Sequence, residues 1–190
     1  MRYVLRASTL AAVCFVNLAA CTGSDSKKHD PHPSPRAASK LGQSARTAGA
    51  DGKGTAHLTP NTVVYVDKTR THSPKHDLFA VVAVEAANRT KTPVKATSDK
   101  GGFRWKTPDG HTVEAGNSKG AEQIAPTGFT DGGPTVKPHA YRVNTVAFDI
   151  TTAERGGTLI YRDGDGADFR WKIPARNSGT AVPALKSALQ

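Results

Sequence analysis

Leu78-Phe79-Ala80-Val81-Val82-Ala83-Val84-Glu85-Ala86-Ala87 is the stretch on which the reading of the fold turns. Ten residues suffice for a helix or for a long strand. Val81, Val82 and Val84 are β-branched, and Asn88-Arg89-Thr90-Lys91 follows as a turn, so a strand is the better reading. Almost no position is polar, which predicts a strand buried on both sides.

Neighbouring segments carry the same signal. Residues 62–67 are β-branched and aromatic and read as a first strand; residues 94–97 read as a short one. Phe103-Arg104-Trp105-Lys106 alternates apolar and cationic, as a half-buried strand does, and Pro108-Asp109-Gly110 turns it into a hairpin. Residues 141–150 also alternate. Their apolar set moves from Tyr141 and Val143 to Val146, Phe148 and Ile150, which predicts a bulge or bend near Thr145 and Val146. Residues 158–162 and 168–173 form a closing hairpin around Asp163-Gly164-Asp165-Gly166. Seven or eight short strands without a clear helix predict an all-β antiparallel sandwich over residues 61–174, with a small barrel as the alternative. Residues 116–138, rich in Gly, Pro and Thr, form an unusually long connection, which Ile124 and Phe129 are expected to pin to the core.

The ends read differently. Arg2 and Arg6 precede an uncharged, mostly apolar segment over residues 7–20, the layout of a secretory leader and too short to span a bilayer comfortably. Leu18-Ala19-Ala20-Cys21 resembles the bacterial lipobox. That resemblance implies cleavage before Cys21 and a diacylglycerol on its sulfur, which holds the chain at the extracytoplasmic face of the cell membrane. An ordinary secreted protein with a free Cys21 is the alternative. The chain has only two cysteines, Cys14 and Cys21, so the rest folds without a disulfide. Residues 21–60 are dominated by small, polar and basic residues and are expected to form a flexible tether; residues 175–190 are expected to form a flexible tail.

Residues 61–174 resemble the DUF4352-type, immunoglobulin-like domains of bacterial extracytoplasmic lipoproteins. The carriers are the run from Ala80 to Asn88, the Trp105 strand leading into Pro108-Asp109-Gly110, the Pro138 strand ending in Phe148-Asp149, and the Leu159-Ile160-Tyr161 hairpin. The resemblance implies a sandwich with a binding or accessory role, and brings no catalytic residue with it.

For chemistry, two patterns stand out. Phe-Arg-Trp-Lys-x-Pro occurs at residues 103–108 and again at 169–174. If both strands share a sheet face, Arg104, Lys106, Arg170 and Lys172 form a stripe for an anionic partner; otherwise they are solvated cations over a core. Asp163, Asp165 and Asp168 have oxygen ligands at a spacing that calcium accepts, but the far bidentate Glu of a calcium loop is missing. His29-Asp30-Pro31-His32 is a second, weaker metal pattern. No nucleophile frame, phosphate loop or dinucleotide fingerprint is present, so no enzyme and no cofactor is expected, an extracytoplasmic enzyme of unrecognised type being the alternative. The formal net charge of +10 favours anionic partners. Export separates the chain from nucleic acid, which leaves a protein or a cell-wall polymer as the expected ligand.

Overall fold

The computed structural model describes residues 37–96, 102–125 and 133–190. The leader, Cys21, the His29–His32 pattern and Phe129 lie outside them. The described strands are β1 (Ser39–Lys40), β2 (Ala45–Ala48), β3 (Thr55–Val66), β4 (Leu78–Ala87), β5 (Gly102–Lys106), β6 (Thr112–Glu114), β7 (Tyr141–Ile150), β8 (Thr158–Arg162), β9 (Asp168–Lys172) and β10 (Ser178–Gly179). Two short helices, α1 (Lys119–Ile124) and α2 (Val182–Leu189), accompany them. One sheet runs β1-β9-β8-β5-β6; the other runs β10-β3-β4-β7, with β2 also paired to β3. The protein is an all-β sandwich. Among the described strands, the β1–β9 pair is the one departure from the antiparallel rule, being parallel.

β4 shows why the central run has no polar face. Leu78, Ala80, Val82, Val84 and Ala86 point into the core between the sheets, where they meet Val63, Phe148, Trp105 and Trp171. Phe79 and Val81 point the other way, into a second cluster with Val64, Val66 and Ala147. Ala121 and Ile124 of α1 and Val182, Leu185 and Leu189 of α2 cover that cluster. The helix approaches closely at Gly120, where a Cβ would lie 2.7 Å from Phe79 Cζ.

Four expectations are corrected. First, the sandwich does not start at residue 61. β1 and β2 are strands, β3 begins at Thr55, and Ala56 and Leu58 are fully buried. Within the expected tether, Leu58 is a large aliphatic on the inward face of β3, and it belongs to the core. Second, residues 175–190 are not a loose tail. β10 extends the second sheet, Asn177 Oδ1 accepts from Tyr65 N at 2.7 Å, and α2 caps the outer cluster. Third, β7 carries no bulge. It pairs with β4 over ten consecutive positions without a slip. The apolar set changes because the inward face enters the core only in the second half of the strand: Val146, Phe148 and Ile150 are buried there, while Tyr141 and Val143 on the outer face are 68% and 54% exposed. The irregularity lies in β3, between Pro60 and Thr62, where proline cannot donate to a ladder. Fourth, part of the long connection is structured as α1, and Val136 bridges to Val94.

Pro33–Gln190 forms one compact unit with its own core. A chain of residues 33–190 is therefore expected to unfold cooperatively in urea, whereas one beginning at residue 61 does not. Leu58→Ala in the longer chain should cost about 2–5 kcal/mol. A cooperative fold from residue 61 onward would contradict the placement of β1, β2 and the first half of β3 in the core.

Candidate functional site: a basic sheet face

β8 lies between β5 and β9, and its register fixes what each face carries. Phe103, Tyr161 and Phe169 are opposite one another, as are Trp105, Leu159 and Trp171. These six side chains are buried on the core side. Phe103 and Tyr161 rings lie 4.9 Å apart, and Trp105 and Phe148 rings 5.6 Å apart. Both indole N–H groups have partners in the backbone. Trp105 Nε1 donates to the Glu154 carbonyl at 3.1 Å, and Trp171 Nε1 to the Gln43 carbonyl at 2.8 Å. Gly157 lets the chain pass over Trp105, since a Cβ there would lie 2.5 Å from Trp105 Nε1.

Alternation then sends the intervening residues to the other face. Arg104 and Arg170 flank Ile160; Lys106 and Lys172 flank Thr158. The two Phe-Arg-Trp-Lys strands thus share a face, and all four cations of the expected stripe come together. The face holds two more. Lys40 of β1 is opposite Lys172, and Arg162 of β8 is opposite Asp168. Lys40, Lys172 and Lys106 stand in one row at the strand spacing of roughly 4.8 Å, with Thr158 between the last two. Glu114 of β6, opposite Arg104, and Asp168 are the face's acids. Ile160 is only 6% exposed although it points outward. The aliphatic stems of the arginines on either side account for its burial.

Asp168 organises the arginines. Its Oδ1 accepts from Arg162 Nε at 2.8 Å and from Arg104 Nη2 at 3.2 Å; its Oδ2 accepts from Arg162 Nη2 at 3.1 Å and from Arg170 Nη2 at 3.3 Å. Hydrogen bonding from Arg162 holds the Asp168 carboxyl below its ordinary range; burial opposes this, and the charges of Arg162, Arg104 and Arg170 reinforce it. One carboxylate holding three guanidiniums leaves the cluster cationic, with most guanidinium donors free of Asp168. Lys106 and Lys172 stand exposed beside it.

Two of the three aspartates, only a weak calcium pattern in the sequence, have other partners in the fold. Asp168 belongs to the arginines. Asp163 is buried, and its two oxygens accept from the backbone N–H groups of Ala48, Asp165 and Ala167 at 2.9–3.1 Å. The carboxylates do not converge on a common point, and no cluster of three metal-ligating side chains occurs among the described residues.

Three His–carboxylate contacts, made by His76 and His111, were not evident from sequence. Asp149 is fully buried and accepts from Lys75 N at 2.6 Å, His76 N at 2.9 Å and His76 Nδ1 at 3.1 Å. Burial pushes the Asp149 carboxyl up, but hydrogen bonds from the Ser118 hydroxyl and from Lys75 and His76 outweigh it and hold the group low. Ser118 thus faces the carboxylate, whereas a nucleophile would need the imidazole as base. Elsewhere His111 Nδ1 meets Asp109 at 2.9 Å and His111 Nε2 meets Glu154 at 2.6 Å. These contacts tie a loop to β7 and a hairpin to the turn after β7.

Two solved structures share this architecture. One is MPT63, a secreted protein from Mycobacterium tuberculosis, 13% identical with a TM-score of 0.53, matching over 73% of this chain and 97% of its own. The other is the yjhA protein from Bacillus subtilis, 14% identical with a TM-score of 0.53, matching over 71% and 99%. Identities this low show a common fold and nothing more. No protein-family model and no curated protein sequence matches the chain. The likeness to DUF4352-type domains is therefore met at the level of a sandwich fold only.

Replacing Asp168 with Asn should lower stability by about 1–2 kcal/mol, because three guanidiniums lose their shared counter-charge. Urea denaturation at neutral pH measures this, and an unchanged midpoint would contradict the hub. The low-lying carboxyls of Asp149 and Asp168 also set a pH dependence. Below the ordinary carboxylate range the unfolded chain binds protons that the folded one does not. Stability should be full above about pH 5 and decline as pH falls through the folded-state values, with a shallower decline in Asp149→Asn.

Proposed function

We propose that this chain is an exported bacterial lipoprotein, anchored through Cys21, whose sandwich is a non-catalytic binding domain for anionic ligands. The observation that carries the ligand class is the shared register of β5 and β9 on β8, which sets Arg104, Lys106, Arg162, Arg170, Lys172 and Lys40 on one face. Anchoring and export rest on the leader and on Leu18-Ala19-Ala20-Cys21. Among the described residues no helix is long and apolar enough to cross a membrane, so attachment through them would need another device. An acyl-modified cysteine supplies one.

Two features support a binding role over a catalytic one. The histidines that meet carboxylates serve as ties within the fold, and neither faces a hydroxyl or thiol nucleophile among the described residues. The basic face is broad and strand-borne, a geometry that suits an extended anion. Anionic wall polymers, polyphosphates and lipid headgroups all present such chemistry.

Two measurements test this reading. Cells producing the chain should incorporate labelled fatty acid into it, and Cys21→Ser should abolish the label; label retained in that variant would remove the anchor. The domain of residues 33–190 should bind inorganic polyphosphate, followed by fluorescence anisotropy, with an affinity that falls steeply with salt. Lys106→Ala with Lys172→Ala should weaken it roughly tenfold at about 0.1 M salt and flatten the salt dependence. Binding that ignores both salt and these lysines would overturn the reading.

A further inference from the structure

At the β1 edge of the basic face the surface deepens into a groove of about 560 Å³. Lys40 and Lys172 contribute to its walls, Leu41 and Pro174 give it apolar surface above the buried Ile173, and Thr158 continues it toward Lys106. A groove that combines cations and aliphatic surface suits an amphiphilic anion better than a uniformly polar one. Its position matters as much as its lining. The chain coming from Cys21 reaches the described structure at residue 37 and enters β1 at once, so Lys40 and Leu41 are among the residues of the described fold nearest to Cys21 along the chain. Fifteen residues, 22–36, separate Cys21 from residue 37. Fully extended, they reach at most about 55–60 Å, whatever conformation they take.

We infer that this edge of the sandwich docks onto the anionic bilayer that holds the anchor, with a phospholipid headgroup phosphate between Lys40 and Lys172 and lipid apolar surface against Leu41 and Pro174. The inference rests on the proposed anchor and deepens the reading of the basic face by naming its ligand. Three arguments converge. The charges are complementary: each lysine near an anionic leaflet raises partitioning about fivefold, and Lys40, Lys172 and Lys106 stand in one row. The tether leaves from the same edge, so the chain need not wrap around the domain to present the groove to the membrane. The anchor makes the encounter intramolecular, so headgroup contacts that give the free domain only modest vesicle affinity suffice to hold the tethered one in place. Docking also places the exposed Tyr141 and Val143 on the other sheet, away from the lysine row.

The domain of residues 33–190 lacks both cysteines, which makes single labelling clean. Its binding would be measured to vesicles of phosphatidylcholine and to vesicles in which about a third of the lipid is phosphatidylglycerol. Only the anionic vesicles should bind. Lys40→Glu with Lys172→Glu should lower that binding at least about tenfold, whereas Arg89→Glu with Lys91→Glu, an equal change of charge in the loop after β4, should alter it no more than about twofold. A polarity-sensitive dye on Leu41→Cys should shift to the blue on anionic vesicles, and the same dye on Lys91→Cys should not. The dye arm does not depend on the charge-reversed variants folding. Binding to polyphosphate without binding to anionic vesicles would overturn this inference and leave the anionic-ligand reading standing. Failure to bind either would overturn both. Equal loss from the two charge-reversal pairs, or a blue shift at both dye sites, would also overturn the placement of the docking edge.

Discussion

The structure depends on one constraint: the register with which β5 and β9 meet the two sides of β8. That register stacks two Phe and two Trp against Tyr161 and Leu159 on the core side, and both indoles find backbone acceptors. Because side chains in a strand alternate, the same register sends two Arg and two Lys outward in matched rows. Burial energy thus fixes the geometry of a charged surface. A slip of one residue on either strand would bury cations and expose tryptophan, so the basic face is as firmly specified as the core beneath it.

Like charges gathered this closely repel, and the fold answers with Asp168. A single carboxylate opposite Arg162 also reaches Arg104 and Arg170 on the flanking strands. The lysine row has no comparable acid and remains exposed. The face therefore divides into an ordered guanidinium cluster and a freer row of ammonium groups that leads to the groove at β1. The helices cover the opposite sheet, so the two faces of the sandwich have different roles: one completes the hydrophobic core and the other meets solvent as charge.

Much of this was legible in the chain. The run at residues 78–87 announced a strand buried on both faces, although not that α1 and α2 supply the second cover. The two Phe-Arg-Trp-Lys strands announced their own faces, and the structure adds that β8 brings them together. Arg162 was within reach of the same reasoning, since it lies two residues from Ile160 in a hairpin whose turn sets it opposite Asp168. Lys40 was not, because a two-residue parallel strand in a polar segment leaves no periodic signal. β2 and the start of β3 were hidden for a similar reason: Ala and Thr alternate there with polar residues, and only Leu58 marks the buried side. The face change along β7 was real but had another cause: its inward face enters the core only from Val146 onward. The three aspartates looked like ligands because spacing alone does not reveal that one is held by arginines and another by backbone amides.

The most direct test is a titration of isotopically labelled residues 33–190 with inorganic polyphosphate, followed by amide chemical shifts. Perturbations concentrated on Arg104, Lys106, Thr158, Arg170 and Lys172, with those of α2 and β7 unmoved, are the expected result. Perturbations centred on α2 and the Tyr141–Val143 surface, or none at all, would contradict the assignment of the basic face as the binding surface.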